Sequence, residues 1–119
     1  MSFGGWDSAK YDDNATTLNN INANRYMQYL LINDERFLDP SYMFCYCGNV
    51  TGSMAVDDMG LPTAANAWYH ILYICHQNNN GYGLQLAFQF AEGAEGVIFQ
   101  RRASGMTWGK WYKHVGTAI

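Results

Sequence analysis

The sequence predicts a mainly β fold, a small antiparallel meander or sandwich preceded by an N-terminal segment that is irregular to short-helical. Three observations predict it. Leu84, Leu86, Phe88 and Phe90 alternate with Gln85, Ala87 and Gln89, the period of two expected of a half-buried strand. Asn80-Gly81 stands immediately before that run and is the strongest short hairpin signal, because both central turn residues tolerate positive φ. Beyond Asp39-Pro40, apolar runs are separated by turn chemistry, and no helical pattern of useful length lies between them.

Taken in order, residues 1–40 read as an N-terminal stalk or trimerisation segment. The stretch 14–24 is rich in Asn and Thr and has little to bury. Over 25–37, Tyr26, Tyr29, Leu30 and Phe37 roughly fit a short helix that Asn33-Asp34 interrupts. Leu18, Ile21 and Ile32 suggest at most a weak coiled-coil seam, since Arg25 and Gln28 fall between them.

The β domain spans 41–119. A first strand over 41–50 is aromatic and rich in Cys, closed by Gly48-Asn49 and Gly52. A loop over 54–66 follows, with Asp57-Asp58, Gly60 and Pro62. The strand over 67–77 sets Trp68, His70, Leu72, Ile74 and His76 on one face and Tyr69, Ile71, Tyr73 and Cys75 on the other, so both faces are largely apolar and the strand is internal. A hairpin at 78–81 leads into the strand over 82–91. The turn over 92–96 leads to a strand over 97–103, and Ser104-Gly105-Met106 leads to the last, over 107–115. A small open sheet leaves two edges and one face bare, so aromatic residues there need a partner chain, an N-terminal cover or a ligand, and oligomerisation is expected.

Composition narrows the function. At 119 residues the chain holds one domain, so one site or surface carries the activity. Hydrophobic residues are 49% and charged residues only 14%, which excludes simple disorder. A net charge of -3 offers no broad basic surface for phosphates, so nucleic acid is not an expected partner. The longest apolar stretch, around 67–75, contains His70 and is shorter than the ~20 residues of a spanning helix, so membrane insertion is not expected. No secretory signal is visible at the start. Three cysteines cannot all pair, and they read as reduced, buried as small apolar residues. Cys45 and Cys47 share a strand face at roughly 6.6 Å, the far limit for a bridge.

Gly60-Leu-Pro-Thr-Ala-Ala-Asn66, the strand end Leu72-Tyr-Ile74, Tyr82-Gly-Leu-Gln-Leu-Ala87, Val97-Ile-Phe-Gln-Arg101 and Trp108-Gly-Lys-Trp111 together resemble a pyocin-knob domain, the small β module at the distal end of phage and tailocin tail fibres. The resemblance covers roughly 41–115 and is most specific in the aromatic-Gln-Arg strand followed by Trp-x-x-Trp. The Cys-rich strand and residues 1–40 have no counterpart in it. It implies a homotrimeric receptor-binding tip on a virion that attaches to lipopolysaccharide or another bacterial surface glycan without catalysis. The alternative is a trimerisation or folding cap with no ligand of its own.

The residues agree with sugar recognition in one respect: aromatic faces stack on a pyranose and amides meet its hydroxyls. The candidate ligand-binding residues are Trp108, Trp111, Tyr112, Arg102 and Tyr82. An ideal strand puts Trp108 and Trp111 on opposite faces, though Gly109 allows a bulge that changes this. Arg101 and Arg102 are adjacent and point to opposite faces, so one can lie over an indole while the other meets solvent or a ligand anion, with the structural part assigned to Arg101.

A glycan depolymerase would need two carboxylates roughly 5 to 9.5 Å apart. Asp57, Asp58, Glu92 and Glu95 all fall in turns and read as solvated loop carboxylates. No hydrolase, zinc-protease or P-loop motif is present. His70 and His76 share a strand face about 20 Å apart, too far to ligate one metal, and His114 has no evident partner. No catalytic residue, metal or cofactor is assigned.

Overall fold

The computed structural model describes residues 27–62, 67–76, 81–90 and 95–119, with the backbone of 17–18 and 21–22. It is mainly β. Two short strands, β1 (Thr17–Leu18) and β2 (Ile21–Asn22), pair antiparallel with each other. The other strands form one sheet: β3 (Gln28–Tyr29), β4 (Tyr46–Thr51), β5 (Trp68–Cys75), β6 (Gly83–Gln89), β7 (Val97–Ser104), β8 (Thr107–Trp108) and β9 (Tyr112–Val115). Their order is β3-β4-β5-β6-β7-β8, with β9 also on β7. All neighbours are antiparallel except β3, which lies parallel to β4.

The segment before β4 is less helical than its apolar spacing suggests. Gln28 and Tyr29 are strand, Asn33 turns the chain with φ 56, and only Glu35–Leu38 winds into a 3-10 turn. The Asp34 carboxylate caps that turn by accepting from the Arg36 backbone N–H at 2.9 Å and the Arg36 guanidinium at 2.7 Å, which holds its pKa down at about 2. Asn33 then accepts from the Thr51 N–H at 2.9 Å and ties the turn to β4. The result places Phe37, fully buried, against the sheet, where it stabilises the fold by roughly 1.5–3 kcal/mol.

Cross-strand register explains which face is covered. One row runs Tyr46, Tyr73, Gln85, Arg101 and the next Gly48, Ile71, Ala87, Phe99. All eight are buried. Tyr46 and Tyr73 stack at 4.6 Å, and the Phe37 ring meets Tyr46 edge-on at 5.2 Å. That close approach requires Gly48, where a Cβ would sit 2.7 Å from Phe37 Cζ. The roof is Phe37 together with Met54 and Ala55 on a single π-helical turn over Met54–Asp58, in the region expected as loop, and Met59 and Leu61 just after it.

This corrects the reading of β6. Leu84, Leu86 and Phe88 were expected to face the core and Gln85 and Ala87 to face away, whereas Gln85 and Ala87 are fully buried and Phe90 is 65% exposed. The reason is that Gln85 has partners inside: its Nε2 donates to Tyr46 Oη at 2.8 Å and to the Phe37 carbonyl at 3.0 Å. Ala87 leaves room for the rings of the neighbouring strands. Strand β5 is internal as expected, but only its Tyr69, Ile71, Tyr73 face is buried; Trp68, His70 and Ile74 are exposed.

The expected hairpin lies mostly outside the described residues, which omit 77–80. Its two strands do pair antiparallel, His76 N–H donating to the Tyr82 carbonyl at 2.8 Å and Gly81 taking φ 78. The turn residues Glu92 and Gly93 lie outside the described residues as well. Cys45, Cys47 and Cys75 form no disulfide, and Cys45 Sγ lies 3.3 Å from Cys75 Sγ on β5.

Candidate functional site

Consecutive residues on a strand face opposite ways, and Arg101 and Arg102 show what that does here. Arg101 is 5% exposed on the covered face. Its Nε donates to Gln85 Oε1 at 2.7 Å and its Nη1 to the Met59 carbonyl at 3.4 Å. The guanidinium lies 4.1 Å from the Trp108 ring centroid and 4.5 Å from that of Trp111. Burial pushes its pKa down to about 10, so it keeps its charge at neutral pH.

A one-residue bulge builds this clamp. Trp108 pairs with Ala103 on β8, whereas β9 pairs Tyr112 with Gln100, so the register slips by one residue across Gly109, Lys110 and Trp111. The last strand expected over 107–115 is thereby split in two. The slip brings both indoles to the covered face, one on each side of Arg101. Trp108 Nε1 donates to the Leu38 carbonyl at 2.9 Å and Trp111 Nε1 to the Met59 carbonyl at 2.7 Å. Both half-buried indoles thus stitch the strands to the roof, a packing role.

The other three candidates lie away from the clamp. Arg102 is exposed, and among the described residues its side chain makes no hydrogen bond or ion pair. It lines two hollows. One, of about 340 Å³, is bounded by Gln100, Arg102, Tyr112 and His114, and the other, of about 390 Å³, includes Ile74, His76, Tyr82, Leu84 and Arg102. Tyr112 is 63% exposed and Tyr82 52%. The candidate set is therefore split: Trp108 and Trp111 hold Arg101, while Tyr82, Arg102 and Tyr112 share the uncovered side of the sheet.

That side is organised by register. One row runs Tyr29, Cys47, Leu72, Leu86, Gln100, Tyr112, and the next Asn49, His70, Phe88, Ile98, His114. His114 Nε2 lies 3.0 Å from Gln100 Oε1, and since an amide oxygen can only accept, Nε2 carries the proton. At the far end, Asn49, Trp68, His70 and Phe90 bound a third hollow of about 340 Å³, with Asn49 Nδ2 donating to His70 Nδ1 at 2.8 Å and the Phe90 ring edge-on to His70 at 5.1 Å. Sequence reasoning missed Asn49, Trp68, Phe90, Gln100 and His114 as lining residues. The period of two from Arg102 to Gln100 was the one signal that placed Gln100 beside a candidate.

The chain matches no family model, no curated protein and no solved structure.

Chemically the uncovered side offers ring faces, amides, imidazoles and one guanidinium. No acidic side chain lines any of the three hollows. Asp57 and Asp58 sit on the π-helical turn, Glu95 precedes β7, and Glu92 lies outside the described residues. His70 and His76 line different hollows, and among the described residues no three His, Cys, Asp or Glu cluster to hold a metal ion. Among them too, no helix is long and apolar enough to cross a membrane.

Proposed function

We propose that the chain is the receptor-binding tip of a phage or phage-like tail fibre, a homotrimer that recognises a bacterial cell-surface glycan without catalysis. The observation that carries the reading is the uncovered sheet face, where Tyr82, Tyr112 and Arg102 surround open hollows with amides and imidazoles beside them. Exposed rings with adjacent hydrogen-bonding groups are what a pyranose needs: a face for its C–H bonds and partners for its hydroxyls. The resemblance of 41–115 to a pyocin-knob domain supplies the biological setting, a virion fibre tip.

The test is adsorption of the purified chain to bacteria and to arrayed surface polysaccharides. Saturable binding that weakens about tenfold or more in Tyr82→Ala/Tyr112→Ala supports the reading. Binding untouched by that double variant, or none to any polysaccharide, overturns it.

The trimerisation cap is the second reading, favoured by the apolar end of the same face. Trp68 is 39% and Phe90 65% exposed there, at the opposite end of the strands from Arg102, and large bare apolar groups mark association surfaces. Fibres that fail to assemble when 41–119 is deleted point to the cap; intact fibres that no longer adsorb point to the receptor tip.

A further inference from the structure

We infer that the hollow bounded by Gln100, Arg102, Tyr112 and His114 takes the acidic group of an anionic sugar, a carboxylate or phosphate held by Arg102 with Tyr112 beneath the ring. The inference rests on the glycan-binding reading and narrows its ligand class. Arg102 is the first reason: it is exposed, and among the described residues its side chain has neither a hydrogen bond nor an ion pair. A guanidinium is a planar fork matched to two oxygens of a carboxylate or phosphate, and this one meets no acceptor among the described residues.

Charge placement is the second, independent reason. Although the chain carries a net -3, Arg102 and Lys110 lie after residue 96 besides Arg101 and Lys113, which belong to the covered face, and none of the ten acidic residues does. The strands that build this hollow thus carry cationic and no acidic side chains, so no fixed negative charge on them opposes an anion at Arg102. The hollow's other groups suit the remainder of a sugar. Tyr112, exposed, offers a ring face, and His114 with Gln100 forms a fixed hydrogen-bonded pair for hydroxyls. At about 340 Å³ it lies at the small end of ligand sites, and Arg102 opens directly onto the neighbouring hollow at Tyr82 and Leu84, where an adjoining sugar ring has an apolar floor.

The experiment is a titration of the isotope-labelled full chain with glucuronate, glucose 6-phosphate and glucose at fixed ionic strength, read at the Arg102 side-chain N–H and the His114 ring. The expected result is saturable shifts with one or both acidic sugars, at least about tenfold weaker for glucose, weakened by added salt, and about tenfold weaker again in Arg102→Gln. Saturation by glucuronate alone assigns a carboxylate, and by the phosphate alone a phosphorylated sugar. Arg102→Gln removes no side-chain hydrogen bond or ion pair among the described residues, and Arg102→Lys, which keeps the charge and loses the fork, recovers part of the affinity. Glucose binding as tightly as the acidic sugars, or acidic sugars binding Arg102→Gln unchanged, overturns the acidic class and leaves the receptor reading standing. A chain that binds none of the three, nor any arrayed polysaccharide, removes both.

Discussion

Arg101 Nε donates to Gln85 Oε1 at 2.7 Å inside the core, on neighbouring strands whose register sets the two residues side by side. Gln85 Nε2 continues the chain to Tyr46 Oη and the Phe37 carbonyl, so one amide joins the sheet, the 3-10 turn and a buried cation. Such a network is stabilising only while every member is present, because a buried charge that loses its acceptor is far costlier than an apolar replacement.

Gln85→Leu therefore destabilises the fold by about 2–4 kcal/mol in urea unfolding, since Arg101 stays charged and loses its shortest hydrogen bond. Replacing both, as Gln85→Leu with Arg101→Met, restores much of that loss. Additive losses in the double variant would show that the two residues act independently.

Trp111→Ala and Trp108→Ala each remove one wall of the Arg101 clamp, an indole N–H bond to the roof and ring packing. Each costs about 2–4 kcal/mol. Thermal unfolding separates this from a ligand role: any loss of glycan affinity in these variants tracks the fraction unfolded, whereas Tyr112→Ala weakens binding with its melting temperature unchanged.

Gly48→Ala tests the packing of the roof on the sheet. A methyl group there meets Phe37 Cζ at 2.7 Å and the Leu30 carbonyl at 3.1 Å, so the ring must move out of its contact with Tyr46. The expected loss is about 1–3 kcal/mol in chemical unfolding. Gly52→Ala is not a control for volume, because Gly52 has φ 61 and is strained whatever the space.

Alkaline pH is expected to destabilise the protein through its buried tyrosines and Cys75. Burial raises the Tyr73 pKa to about 12 from 10.0 and lifts that of Tyr46 further, while burial and then the Cys45 hydrogen bond push Cys75 up to about 11 from 9.0. Folded pKa values above the unfolded ones mean that the folded state holds protons the unfolded chain releases, so their stabilisation is complete below about pH 9 and is lost as pH climbs towards 12. Melting temperature should fall across that window, and less steeply in Tyr73→Phe; a flat profile contradicts the burial of these phenols.

The sequence made the fold class legible because period two survives in β5, β6 and β7 and an Asn-Gly pair stands between the first two. It did not reveal which face is covered. Leu84, Leu86 and Phe88 look like a core stripe, yet Gln85 holds the interior because Arg101, Tyr46 and Phe37 satisfy its amide, a fact set by three distant segments. The short helix over 25–37 failed for a local reason, the positive φ of Asn33 and the Asp34 cap. Of the site, the opposed directions of Arg101 and Arg102 were readable from strand alternation alone. That Trp108 and Trp111 share a face with Arg101 was not, because it depends on a one-residue slip that Gly109 permits but does not dictate.

Carbene footprinting of the chain saturated with a surface polysaccharide to which it adsorbs tests most directly whether the uncovered face is the ligand face. Labelling should fall at Tyr82, Arg102 and Tyr112 and stay constant at Asp57 and Asp58 on the roof. Protection confined to the roof, with these three residues labelled as in the free chain, would contradict the account.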